Sequence, residues 1–121
     1  MKLISTGITR NVFLIGKYAI KTPAMFRGYG GWKYFLKGMV ANLDENTWYK
    51  LSSKTEKTLL CPIIGCYLCG FILIMKRGEP LSEEDYKPQL FEILFKDYPL
   101  DIKIDNFGLL NGIVVLIDYA D

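Results

Sequence analysis

The stretch Leu100–Ala120, LDIKIDNFGLLNGIVVLIDYA, decides how this chain is read. It holds Asp101, Asn106 five residues later, an Asn111-Gly112 pair, and the apolar run Ile113–Ile117 that ends on Asp118. Asn-Gly between two apolar runs predicts a tight hairpin turn. A loop and a strand end then deliver three oxygen-bearing side chains. Such a set suits a hard cation with phosphates, because Mg²⁺ takes one or two carboxylates and keeps its other positions for water and phosphate oxygens. The same residues also fit a plain hairpin with Asp118 as a solvated strand end, so the decision falls to the residues upstream.

Working back from Leu100, Asp97-Tyr98-Pro99 closes a helix expected over Glu83–Lys96. Ser82 is its N-cap, and Glu83, Glu84 and Asp85 complement the helix dipole. Pro88 restricts its first turns, and Leu90, Phe91, Ile93, Leu94 and Phe95 are its expected buried face. Lys76–Pro80 is a short polar connection. Before it, Leu59–Tyr67 and Phe71–Met75 read as two strands around Gly70, and Ser52–Lys57 reads as a polar loop. From Trp32 to Leu51 glycine occurs once, at Gly38, and proline does not occur. Phe35, Leu36, Met39, Val40, Leu43, Tyr49 and Leu51 fall at mostly helical spacing there, which predicts an amphipathic helix. The glycine-rich segment Met25–Trp32 connects that helix to three short strands, Lys2–Thr6, Asn11–Ile15 and Lys17–Lys21, the last closed by Pro23. The expected order is five strands with one helix inserted after the third.

A chain of 121 residues is one domain's worth, and its hydrophobic half with 14% aromatics argues against disorder. Its apolar runs are strand-sized, far below a membrane span, and no signal peptide is visible, so a soluble cytoplasmic protein without a membrane partner is expected. Cys61, Cys66 and Cys69 make an odd count with no histidine to complete a zinc site. They read as small core residues rather than disulfides or metal ligands. Net charge is +2, yet residues 1–58 carry ten Lys/Arg against three Asp/Glu, and residues 59–121 carry five against ten. The two halves, +7 and −5, attract each other as readily as an outside polyanion. No basic cluster is interleaved with aromatics, which argues against nucleic acid as a partner.

This order of parts resembles the protein kinase superfamily, including its small-molecule kinase relatives. Four stretches carry the resemblance: Tyr18-Ala19-Ile20-Lys21, similar to the V-A-I-K strand; Glu45 in the helix; Asp101 to Asn106, similar to D-x-x-x-x-N; and Asp118-Tyr119-Ala120 in the place of D-F-G. The resemblance implies an α+β fold with three parts. A kinase-like lobe over residues 1–75 holds a five-stranded antiparallel sheet and one helix, a hinge follows at 76–81, and a reduced second lobe covers 82–121. It implies that Lys21 contacts nucleotide phosphates and Glu45 pairs with it, in preference to the neighbouring Asp44. Asp101 would orient the acceptor hydroxyl, Lys103 would steady the transferring phosphate, and Asn106 and Asp118 would hold Mg²⁺. The backbone from Lys76 to Gly78 would face the adenine.

Departures from the family pattern are as plain. The glycine-rich loop is reduced to Gly7 followed by Ile8-Thr9-Arg10-Asn11, with Arg10, Thr9 or Ser5 as substitute phosphate donors. Pro99-Leu100 stands where His-Arg is usual, Tyr119-Ala120 replaces Phe-Gly, and the given sequence stops at Asp121 without an activation segment or further helices, so the resemblance is either to a minimal kinase-like protein or to a fragment of a longer one. The implied function is a minimal kinase-like protein that binds ATP with Mg²⁺ and passes phosphate to itself or to a partner-supplied acceptor. The alternative is a catalytically inactive pseudokinase-like interaction module. It would act through a protein partner or a homodimer on the face that the reduced second lobe leaves open.

Overall fold

In the computed structural model, which describes residues 2–6, 10–24, 31–94 and 104–119, the chain is α+β. Three strands come first: β1 (Lys2–Thr6), β2 (Arg10–Ile15) and β3 (Tyr18–Pro23). The β2–β3 hairpin turns at Gly16, whose φ of +57° a side chain would resist. The long helix α1 (Gly31–Leu51) follows, then β4 (Ile63–Tyr67) and β5 (Ile72–Lys76). All pairings in this sheet are antiparallel, and the five strands lie in the order β1-β2-β3-β5-β4. The third strand is thereby placed centrally, with α1 packed behind it.

Several boundaries differ from the sequence expectation for identifiable reasons. Residues 54–57, expected as loop, form the one-turn helix α2 (Lys54–Lys57), because Ser53 and Glu56 complete a capping box. The strand expected from Leu59 begins only at Ile63. Leu60 instead bridges in parallel to Leu116, with Cys61 N–H donating to the Leu116 carbonyl at 2.9 Å and Leu116 N–H to Leu59 at 2.8 Å. The helix expected from Glu83 starts at Pro88, as α3 (Pro88–Leu94). Ser82 Oγ caps a turn there, accepting from Asp85 N–H, and Pro88 takes the first helical position that its missing N–H tolerates. Of the face expected to be buried, Phe91 is buried against Phe107, whereas Leu90 and Ile93 are exposed. Phe95 lies outside the described residues. The cysteines also divide: Cys61 is buried, Cys66 half-buried and Cys69 exposed.

A second, three-stranded sheet, β6-β7-β8, consists of β6 (Glu79–Pro80), β7 (Phe107–Leu110) and β8 (Ile113–Leu116). Asn111 and Gly112, both at positive φ (53° and 79°), make the β7–β8 turn that the Asn-Gly pair predicts. Ala19, Met75, Leu60, Cys61, Phe107, Val115, Leu116 and Tyr119 form one apolar core shared by both sheets. That shared core, with the Leu59–Cys61 stitching, fixes the end of β8 against β3 and α1. Among the described residues no helix is long and apolar enough to cross a membrane.

Candidate functional site

Alternation along β3 turns Ala19, Lys21 and Pro23 to one buried face, the side on which α1 lies. Arg10 pairs with Pro23 in the ladder, so its side chain starts from the same face. On α1, Asn42 and Glu45 are three residues apart, hence on one side of the helix, and both are completely buried. Four strongly polar side chains therefore meet between sheet and helix.

Glu45 is the hub. Its Oε1 accepts from Lys21 Nζ at 2.8 Å and from Arg10 Nη1 at 2.7 Å, and its Oε2 accepts from Tyr119 N–H at 2.8 Å. Lys21 Nζ also donates to the Ile117 carbonyl at 2.7 Å. Arg10 Nη2 reaches Asp118 Oδ1 at 2.6 Å across 108 positions of sequence. Asn42 Oδ1 accepts from Arg10 at 3.2 Å, while its amide donates to the carbonyls of Lys21 and Gly70 at 3.1 and 2.8 Å. Two cations and two carboxylates thus cancel.

Burial by itself raises the Glu45 carboxyl, but the Lys21 and Arg10 cations outweigh it and hold the group at about 2. The guanidinium of Arg10, which burial alone would depress, is pushed up by the carboxylates of Glu45 and Asp118. Asp118 behaves differently: desolvation of its carboxylate, with Glu45 adding to it, raises it despite Lys21 and Arg10. Its side chain is 42% exposed. Asp118 is the member of the cluster that opens to solvent.

The structure brings together Lys21, Glu45, Arg10 and Asp118, and Asn106 joins them through the backbone, where Ile117 N–H donates to its carbonyl at 2.8 Å. Asp44, the rival to Glu45, is exposed on α1 and takes no part in the cluster's hydrogen bonds to Lys21 and Arg10. The expected hinge is partly committed: Lys76 N–H donates to Pro62 and its carbonyl accepts from Cys61 Sγ. Gly78 packs on Gly108 and Ile117 so closely that an added Cβ would meet the Ile117 side chain at 2.9 Å. Gly7, Asp101 and Lys103 lie outside the described residues. Asn42 and Tyr119 were missed as cluster members. The three-residue spacing of Asn42 and Glu45 was the available signal for the first. Tyr119, whose hydroxyl donates to the Cys61 carbonyl at 3.0 Å, gave none beyond its place after Asp118.

Among the described residues no group of three or more His, Cys, Asp or Glu is arranged to hold a metal. Compared with known protein families, curated proteins and solved structures, the chain matches none.

Proposed function

We propose that this chain is a minimal protein-kinase-like protein whose polar cluster binds the phosphates of ATP together with Mg²⁺. One observation carries this reading: the 2.8 Å Lys21–Glu45 ion pair between the third strand of a five-stranded sheet and the helix behind it, with Asp118 at its rim. Lys21 meets phosphate charge, and Glu45 keeps its ammonium in place. Asp118 and Asn106 are the residues that would hold Mg²⁺, and two oxygen donors on neighbouring backbone with the Asp118 side chain partly exposed fit that ion. When bound, the ion supplies neutralisation of the phosphate oxygens. Arg10 must turn from Asp118 Oδ1, and its planar guanidinium is suited to phosphate once it does so. Asp101 and Lys103 are assigned the acceptor hydroxyl and the transferring phosphate. The acceptor belongs to the chain itself or to a partner.

A second reading rests on Arg10. With its guanidinium on both Glu45 and Asp118, the cluster is neutral without any ligand, as suits a catalytically inactive module that works through a protein partner. Calorimetric titration with ATP, with and without Mg²⁺, separates the two. Metal-dependent binding in the native chain, lost in Asp118→Asn at unchanged circular dichroism, is the expected result. Silence up to millimolar ATP sinks the nucleotide reading and leaves the module.

A further inference from the structure

The outer face of α1 is apolar. Trp32, Leu36, Val40, Leu43 and Leu51 are 65, 56, 54, 41 and 81% exposed, and with Thr47 they form one continuous stripe. The intervals between these six residues are four, four, three, four and four, the same read from either end. Laid antiparallel across a twofold axis between positions 41 and 42, such a stripe matches itself. Val40 meets Leu43 of the other copy, Leu36 meets Thr47, and Trp32 meets Leu51. Self-complementarity of this kind is what an isologous interface requires.

The two ends of the stripe are also complementary to each other. At one end stands the most exposed aromatic ring of α1, Trp32. At the other, Thr47, Trp48, Leu51 and Ser52 line a groove of about 260 Å³ whose rim carries Asp44 and Glu56. Lys33 and Lys37 flank Trp32 and are exposed. Antiparallel pairing therefore carries a tryptophan with two lysines onto a groove with two acids, twice by symmetry. Tryptophan seated in a desolvated pocket is one of the residue types enriched among the anchors that dominate interface energies.

We infer that two copies of this chain associate through the outer faces of α1, antiparallel, with Trp32 of each seated in the groove beside Leu51 of the other. This surface lies on the side of α1 away from the polar cluster, so the inference stands or falls independently of nucleotide binding.

Sedimentation of the full chain from low to high micromolar tests it. The native chain is expected to shift from monomer to dimer. Val40→Glu, which sets two carboxylates near the axis, and Trp32→Ala should each weaken the dimer at least tenfold. Lys37→Glu should also weaken it, and adding Asp44→Lys to that variant should restore it; these exposed swaps leave the fold intact. Register is read by oxidation in a Cys69→Ser background. Val40→Cys should crosslink, because its two copies lie about 5 Å apart along the axis, while Trp32→Cys, about 28 Å apart, should not. A monomer at every concentration, a dimer indifferent to Val40→Glu, or equal crosslinking at both positions overturns the proposal.

Discussion

The two faces of α1 invert the usual arrangement of a surface helix. Its inner face buries Asn42 and Glu45 completely, while its outer face shows Leu36, Val40, Leu43 and Leu51 to solvent. A helix held by hydrophobic burial would have these the other way round. The inner face is held by a network in which the Asn42 amide and the Glu45 carboxylate each meet charged or backbone partners from the sheet and from the end of β8. Such a network is costly to form and far more costly to leave half-made, because the remaining charge has no water to turn to. The inner face therefore fixes a specific geometry, and the outer face is a surface for contact. Substitution should separate the two.

The largest effect belongs to Glu45. Glu45→Gln removes the charge that Lys21 and Arg10 share while keeping the shape, and should cost about 3–5 kcal/mol in denaturant unfolding. Its pH dependence sharpens the point. The carboxyl sits at about 2 in the folded chain against an ordinary 4.5. Its contribution is thus complete above the unfolded value and is lost as pH falls from about 4.5 to 2. The depression is worth about 3 kcal/mol at neutral pH. Asp118, raised in the folded chain, opposes this in the same acid range. Unfolding curves of the native chain should weaken on acidification, and those of Glu45→Gln should be flatter. An equally steep acid loss in Glu45→Gln would assign it to other carboxylates.

Asn42 comes next. Its amide joins the backbone of β3 and the turn at Gly70 to α1, and its carbonyl oxygen accepts from Arg10. Asn42→Ala leaves buried carbonyls and a guanidinium hydrogen short of partners, at about 1–3 kcal/mol. Arg10 loses a guide, so the same variant should also weaken the Arg10–Asp118 contact. A change below about 0.5 kcal/mol would mean that water replaces the amide.

The sequence made the strands and α1 legible because β-branched runs, glycine turns and an uninterrupted helix leave local marks. It also delivered Lys21, Glu45 and Asp118 as a set, since their residue types and order carry a chemical pattern. The orientation of α1 was not legible. Apolar residues at helical spacing point to a buried stripe, and nothing local says that Asn42 and Glu45, on the other side, are the ones enclosed. Only the arrival of Arg10 and Lys21 from the sheet makes that burial affordable, and their meeting spans distant parts of the chain. The start of α3 was obscured in a similar way. Ser82 with its acidic followers is as good a cap for a turn as for a helix, and Pro88 decided between them.

The smallest stability effect, and the sharpest contrast with Glu45, belongs to the outer face. Leu36 is more than half exposed, so Leu36→Gln removes little buried area from the monomer. Measured at low micromolar concentration, where the chain is expected to be a monomer, unfolding should change by no more than about 0.5 kcal/mol. A hydrophobic residue whose loss costs the monomer almost nothing has no role in holding α1 to its own sheet. Glu45, about two and a half turns along the same helix, would then be a charged residue that holds it and Leu36 an apolar one that does not. A loss above about 2 kcal/mol would show that Leu36 is packed against its own chain and would return α1 to the ordinary pattern, apolar side inward.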